Sequence, residues 1–188
     1  MKLYIVRHGQ SKNNSERRHS GWSRTELTEQ GIEDARKAGE RLNGIRFDKI
    51  YASDLPRTVQ TCKHALPEQE PELLELIREI NVGSLQDRCV TDCEAEYGEK
   101  YLASRAVDDY SFWGGETRDM VKIRAERFLK TVESAGHETV AAFTHGVFIR
   151  YCMEVARDNT PVPGPILGNG GIAVFEFKNG KWSVEPLE

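Results

Sequence analysis

The chain opens on four apolar residues, Leu3-Tyr4-Ile5-Val6, bounded by Lys2 and Arg7. So short a run of β-branched and aromatic side chains predicts a buried strand. From residue 10 to residue 30 the pattern dissolves into Ser, Asn, Arg and Thr with little periodicity, which predicts a long loop. Ile32, Ala35, Ala38, Gly39 and Leu42 then recur at helical spacing, with Thr28 and Gly31 near the start and Asn43-Gly44 as a stop. Phe47 to Ala52 reads as a second strand. Ser53 and Asp54 are N-cap candidates for a helix carrying Arg57, Val59, Thr61 and Ala65, with Pro56 tolerated only in its first turn.

Leu73 to Ile80 is a further apolar segment that reads as a short strand or an extended piece ending in Arg78-Glu79-Ile80. Residues 83–113 mix acids, arginines, Tyr and Trp, with a helical stretch at 92–105, and read as a cap inserted over the sheet. Met120, Ile123, Phe128, Leu129 and Val132 predict a long helix over 116–134, closed by Gly136. Thr139 to Phe143 is a strongly apolar strand that runs into Thr144-His145-Gly146 and a helix through Met153. Pro161, Pro163 and Pro165 impose an extended linker, and 172–177 with 182–184 around Asn179-Gly180 predict a terminal hairpin. Strands separated by helices predict an α/β fold: a three-layer sandwich with a mostly parallel central sheet, helices on both faces and a small helical cap insertion.

Composition fits one such unit. At 188 residues and 38% hydrophobic content the chain buries one substantial core, so a single domain over 1–188 with its cap at 83–113 is expected. Twenty-six basic against 30 acidic residues give a formal charge of −4, with no overall pull toward nucleic acid or an anionic membrane. No stretch approaches the roughly 20 apolar residues of a membrane span, so the expectation is a cytoplasmic protein. Cys62, Cys89, Cys93 and Cys152 are too few and irregular for a disulfide framework, and Cys89 with Cys93 lack the second pair that a metal clip needs, so free thiols are expected.

The chemistry gathers at two strand ends. Arg7-His8-Gly9 follows the first strand at its carboxyl end, where open α/β sheets bind ligands. Glycine allows a sharp turn and Arg7 offers a forked donor suited to phosphate, although a surface Arg-His pair would look the same. His145-Gly146 repeats the pattern after the 139–143 strand, and Arg57 stands in a helix first turn that already favours an anion. Lys12, Arg17, Arg18 and Arg24 face only Glu16 within the long loop, which is either a solvated loop or a substrate-recruiting rim.

These blocks together resemble the histidine phosphatase superfamily, also called the phosphoglycerate mutase-like family. The resemblance rests on Arg7-His8-Gly9 with Asn14, Leu27-Thr28-Glu29-Gln30-Gly31, Ser53 to Thr61, Arg78-Glu79-Ile80 with Gly83, Gly114-Gly115-Glu116-Thr117, and Thr144-His145-Gly146, in that order. It implies that His8 is a nucleophile forming a phosphohistidine, and that Arg7, Arg57 and His145 surround the phosphoryl oxygens. Glu79 would protonate the leaving alkoxide and then deprotonate water, while Glu116 is either a weaker candidate or a cap that places negative charge in the first turn of the long helix. Asn14, Gln10 and Gly146 would contact phosphate or substrate, although polar loop residues such as Asn14 and Gln10 often simply face water. His19, His64 and His137 are expected to be structural or exposed. No cofactor and no metal is implied.

The resemblance embraces phosphatases and mutases. Gly83-Ser84-Leu85-Gln86-Asp87-Arg88 stands where mutases carry an Glu-Arg-His-Tyr-Gly-like block, and Glu94 to Tyr101 looks like the small phosphatase cap. The phosphatase branch usually shows a Trp-Glu-Gly triplet at Leu85-Gln86-Asp87, and a mutase-like segment usually has an acid at Arg24. An arginine at that position would suit a substrate with a second anionic group. The expected activity is therefore metal-independent hydrolysis of a small phosphorylated metabolite by a monomer or homodimer. A cofactor-dependent phosphoglycerate mutase and a catalytically weak phosphate-ester-binding module are the alternatives.

Overall fold

The computed structural model describes residues 1–162 and 167–187. Its sheet contains β1 (Lys2–Arg7), β2 (Lys49–Ala52), β3 (Glu72–Leu73), β4 (Thr139–Thr144), β5 (Ile172–Lys178) and β6 (Lys181–Leu187). Their order is β3-β2-β4-β1-β5-β6, with the first four parallel and the last two antiparallel. The helices are α1 (Lys12–Ser15), α2 (Glu29–Arg41), α3 (Pro56–Ala65), α4 (Val90–Tyr97), α5 (Glu99–Ala106), α6 (Arg118–Ser134) and α7 (Gly146–Ala156). This is the expected α/β sandwich.

Strand alternation divides the core. Leu3, Ile5, Val140 and Ala142 pack with Val121, Ala125, Phe128 and Phe148 of α6 and α7 on one face. Val6, Ala141 and Phe143 pack with Ala38, Leu42, Cys62 and Ala65 of α2 and α3 on the other. Consecutive strand residues therefore serve opposite layers, which is why β1 and β4 read as unbroken apolar runs. The described thiols are free, as expected, and no helix is long and apolar enough to cross a membrane among the described residues.

Several local expectations shift. The loop at 10–30 contains one helical turn, α1, closed by a reciprocal capping box between Ser11 and Asn14. The N-cap of α3 is Leu55 with no side-chain cap, because Ser53 and Asp54 are engaged elsewhere and Pro56 needs no hydrogen-bond acceptor at N1. The single stretch expected at 92–105 is two helices: Gly98, at φ 54° and ψ −132°, breaks the ladder with a backbone conformation that side-chain-bearing residues avoid. The segment ending at Glu79 is a two-residue strand followed by a 3-10 turn over Glu75–Ile77. In α6 the buried stripe is Val121, Ala125, Phe128, Leu129 and Val132, while Met120 and Ile123 face outward. The helical period is right and its face is rotated. The hairpin forms as expected, with Asn179 and Gly180 at φ 53° and 75° as its tight turn demands. Pro163 and Pro165 lie outside the described residues.

Candidate active site

Parallel pairing of β1 with β4 places Arg7 opposite Thr144, so His8 and His145 leave adjacent strands side by side. Both are buried, at 3% and 0% exposure, and their rings meet edge to face with centroids 5.2 Å apart. His8 Nδ1 lies 2.7 Å from the Gly9 carbonyl, which only accepts, so Nδ1 carries the proton and Nε2 keeps its lone pair. Burial pushes the pKa of His8 well below the ordinary imidazole value, and Arg57 and Arg7 reinforce the shift. His145 is lowered in the same way, by burial first and then by Arg57. A neutral imidazole with an unprotonated Nε2 is the form that attacks phosphorus.

The turn at His8 depends on close backbone approach. A Cβ at Gly9 would come within 2.1 Å of the Gly31 carbonyl oxygen, and one at Gly31 within 2.0 Å of the Gln10 oxygen. Only a glycine pair lets the start of α2 press on this turn. Thr61 of α3 completes the mount, accepting from the Gly9 N–H at 3.0 Å while donating to the Arg57 carbonyl.

Arg57 is fully buried one turn before Thr61. Its terminal nitrogens donate to the Gly21 and Ser23 carbonyls at 2.8 and 2.9 Å, and its Nε donates to His8 Nε2 at 3.3 Å. Burial lowers its pKa to about 10, which leaves it charged at neutral pH. Arg7 donates to the Leu167 carbonyl, and its Nε is buried without a hydrogen-bond partner among the described residues. A Cβ at Gly146 would sit 3.3 Å from that Nε, so the glycine keeps room for the guanidinium. His145 Nε2 bonds to Ser53 Oγ at 2.9 Å, while its Nδ1 is likewise buried and unpartnered among the described residues. Neutral His8 thus lies among Arg57, His145 and Arg7, the last two each with an unpartnered ring or guanidinium nitrogen among the described residues, a surround matched to an oxyanion-rich group.

Glu79 enters from the side. Its carboxylate accepts from the backbone N–H groups of Val147 and Phe148 at 3.3 Å each and of Ile80 at 3.0 Å, so it docks on the N-terminus of α7 directly after His145. Its main chain is clamped from two sides. Trp22 donates its indole N–H to the Glu79 carbonyl at 2.8 Å, and the residues flanking Trp22 are those that hold Arg57.

Arg124 of α6 clamps the other side, and the sequence carried no signal for it. Its guanidinium donates to the carbonyls of Leu76, Arg78 and Glu79 and makes a two-point pair with Glu116 at 2.9 Å. Glu116 is thus a buried anchor, which also accepts from the Asn81 N–H at 2.9 Å. It lies outside the first turn of α6, whose N-cap is Thr117. An arginine within an amphipathic helix looks like any solvated charge until the fold turns it inward.

The remaining candidates spread out. Asn14 Oδ1 accepts from Asn169, which also donates to the His8 carbonyl at 3.0 Å, so Asn14 stands one side chain from the histidine turn. Gln10 accepts from the Thr28 hydroxyl at the start of α2. Arg24 is exposed and acts on Asp54, which is itself paired with Arg78. His19 is half-buried against Tyr101 and Tyr110, with its pKa lowered to about 4 chiefly by burial. Asp87 occupies the left-handed region at φ 64°, where a glycine would be unstrained, and accepts from Asn13 at 2.6 Å.

The chain belongs to the histidine phosphatase superfamily (branch 1), whose model matches residues 3–188. Among curated relatives it is 34% identical over 170 residues to a 2,3-bisphosphoglycerate-dependent phosphoglycerate mutase of Brucella melitensis, covering 85% of this chain and 82% of that protein. Among solved structures it resembles a mycobacterial glucosyl-3-phosphoglycerate phosphatase, with a TM-score of 0.87 at 24% identity over 98% of this chain and 97% of the other. A phosphoglycerate mutase from Bacillus anthracis superposes with a TM-score of 0.85 at 23% identity, over 100% and 92% of the two chains. At those identities the two structures speak for the fold.

Proposed function

We propose that this protein hydrolyses a small-molecule phosphate monoester, without metal, through a phosphohistidine at His8 Nε2. The observation that carries the reading is the state of His8: its proton is committed to the Gly9 carbonyl, its unprotonated Nε2 accepts from Arg57 Nε, and burial with Arg57 and Arg7 keeps the ring neutral. In the first step the Nε2 lone pair forms the N–P bond as the ester P–O bond breaks, and the Glu79 carboxyl gives its proton to the departing alkoxide. In the second, Glu79 takes a proton from water whose oxygen attacks phosphorus, releasing phosphate and restoring neutral His8. Arg7, Arg57 and His145 stabilise charge on the equatorial oxygens in both steps, each charge-assisted contact worth roughly 1.5–3 kcal/mol.

The mutase relative supports a second reading, in which the phosphoryl group returns to a different oxygen of a phosphoglycerate. Hydrolysis is preferred because the 83–88 segment departs from the mutase block. A panel of phosphate esters followed by product analysis decides between them: free phosphate supports hydrolysis, and an isomerised acid with no phosphate release supports the mutase. Turnover at background on every ester, with binding intact, would leave a binding module. On the hydrolase reading, His8→Ala abolishes turnover and chelators leave it unchanged. Rapid quench of the wild type yields acid-labile label on His8.

A further inference from the structure

A neutral imidazole has two forms, and the nitrogen that carries the proton decides what the ring can offer an anion. The oxygens of a phosphoryl dianion only accept hydrogen bonds, so a histidine that serves them must present an N–H and not a lone pair. His145 bonds Ser53 through Nε2 at 2.9 Å, and its Nδ1 is buried with no partner among the described residues. Burial, and then Arg57, holds this ring neutral, so one proton is shared out between two nitrogens.

Ser53 decides where that proton sits. The residue is fully buried and directly follows β2. Its N–H donates to the Phe143 carbonyl at 2.9 Å and its carbonyl accepts from the Thr58 hydroxyl at 2.8 Å, so its backbone is tied to β4 on one side and to α3 on the other. The Leu55 N–H donates to its Oγ at 3.4 Å. The hydroxyl proton then has one acceptor in reach among the described residues, His145 Nε2. In the opposite assignment Nε2–H donates to Oγ, which strands a buried hydroxyl proton and leaves a bare lone pair on Nδ1.

We propose that Ser53 is a positioning residue that locks His145 as its Nδ1–H tautomer, so that His145 meets the phosphoryl group with an N–H donor. The inference rests on the hydrolase reading for the presence of a phosphoryl group beside His145. Both histidines then carry their proton on Nδ1, with opposite effect. The Gly9 carbonyl occupies that proton in His8 and leaves an unprotonated Nε2 as the nucleophile, whereas Ser53 occupies Nε2 of His145 and leaves the N–H for an oxyanion. Edge-to-face contact of the two rings makes nucleophile and donor neighbours.

Long-range proton–nitrogen correlation NMR on the full chain labelled with nitrogen-15 tests it at neutral pH, the His145 ring being assigned by its loss in His145→Gln. Wild type should show a protonated Nδ1 and an unprotonated Nε2 at His145; a proton on Nε2, or on both nitrogens, overturns the proposal. Ser53→Ala should move part of the population to the Nε2–H form. It should also weaken binding of inorganic phosphate, read by protection against thermal unfolding, and lower kcat/KM for p-nitrophenyl phosphate, each roughly tenfold. Ser53→Thr keeps the hydroxyl and should retain the wild-type ring pattern. A wild-type ring pattern in Ser53→Ala, or undiminished phosphate binding by that variant, overturns the proposal. If Ser53→Ala does not fold, the ring patterns of wild type and Ser53→Thr decide. If the wild type does not turn over p-nitrophenyl phosphate, the hydrolase reading loses support, and the ring pattern with phosphate binding still supports or overturns the role of Ser53.

Discussion

His8 shows how losing water changes the chemistry of one residue. The same imidazole on a surface loop would be half-protonated near its usual value of ~6.5. Enclosed beside Arg57 and Arg7, it is held neutral. The acid limb of kcat/KM assigned to the nucleophile should therefore lie below 6.5, with activity sustained on lowering the pH through that value; an inflection at 6.5 or above in a pH–rate profile contradicts it. On the proposed mechanism Arg57 acts through geometry as much as charge, because three of its nitrogens are placed by the Gly21 and Ser23 carbonyls and His8. Lysine keeps the charge and loses the fork, so Arg57→Lys should lower kcat/KM by about 100-fold in steady-state assays, with the protein still folded by circular dichroism.

At the scale of elements, the site is an assembly of termini. The ends of β1 and β4, the first turn of α3 and the N-terminus of α7 meet at one edge of the sheet, and α6 reaches across to the Glu79 segment through Arg124. That reach couples an outer helix to the proposed proton donor. Arg124→Met would leave Glu116 a buried, unpaired carboxylate, whereas pairing it with Glu116→Gln removes that penalty. Arg124→Met should destabilise by about 3 kcal/mol in urea melts, and the double variant by less. Both should lower kcat roughly tenfold with little change in KM, because the carbonyl clamp on Glu79 is lost in each. A double variant with full kcat would show that the clamp is structural alone.

These elements also show where sequence reading succeeds. Long periodic segments such as α2 and the apolar strands were legible because burial on a face imposes its period on the chain. The candidates His8, Arg7, Arg57, Glu79 and His145 could be picked out because each adjoins an apolar run or a helix start, and the fold brings them together. The face of α6 was not, and with it Arg124: Met120 and Ile123 are apolar yet outward, while a charged residue points in. Periodicity locates a stripe only to within a residue or two, and an inward-turned, partly buried arginine is identified by carbonyl partners that are 45 to 48 positions away in the chain. Ser53 likewise looks like a helix cap and serves as the partner of His145, 92 positions distant.

Across the whole molecule, three histidines whose native pKa values lie below the ordinary value make stability depend on pH with a definite sign. His8, His145 and His19 bind protons more readily unfolded than folded, so their contribution is complete above about 6.5 and is lost as the pH falls toward the native values. For His19 the window runs from about 6.5 down to about 4. Asp48 and Asp54, with native pKa values lowered from 3.8, add their losses only below that. The melting temperature should therefore decline between pH 7 and pH 5, before carboxylates titrate, and His19→Gln should flatten part of that slope in thermal melts. A melting temperature independent of pH over this interval would contradict the burial of these rings.

By itself, the sequence determined the order of strands and helices, the residues that end them and the chemical types available at those ends, because local propensity and hydrophobic period act over a few residues. Tertiary structure alone decided which of those ends meet. The register of β1 against β4, the inward face of α6 and the pairing of the 13–18 turn with the cap each depend on contacts between distant segments. Those contacts set the desolvation and the directed hydrogen bonds that turn an ordinary histidine into a neutral one and an ordinary arginine into a clamp.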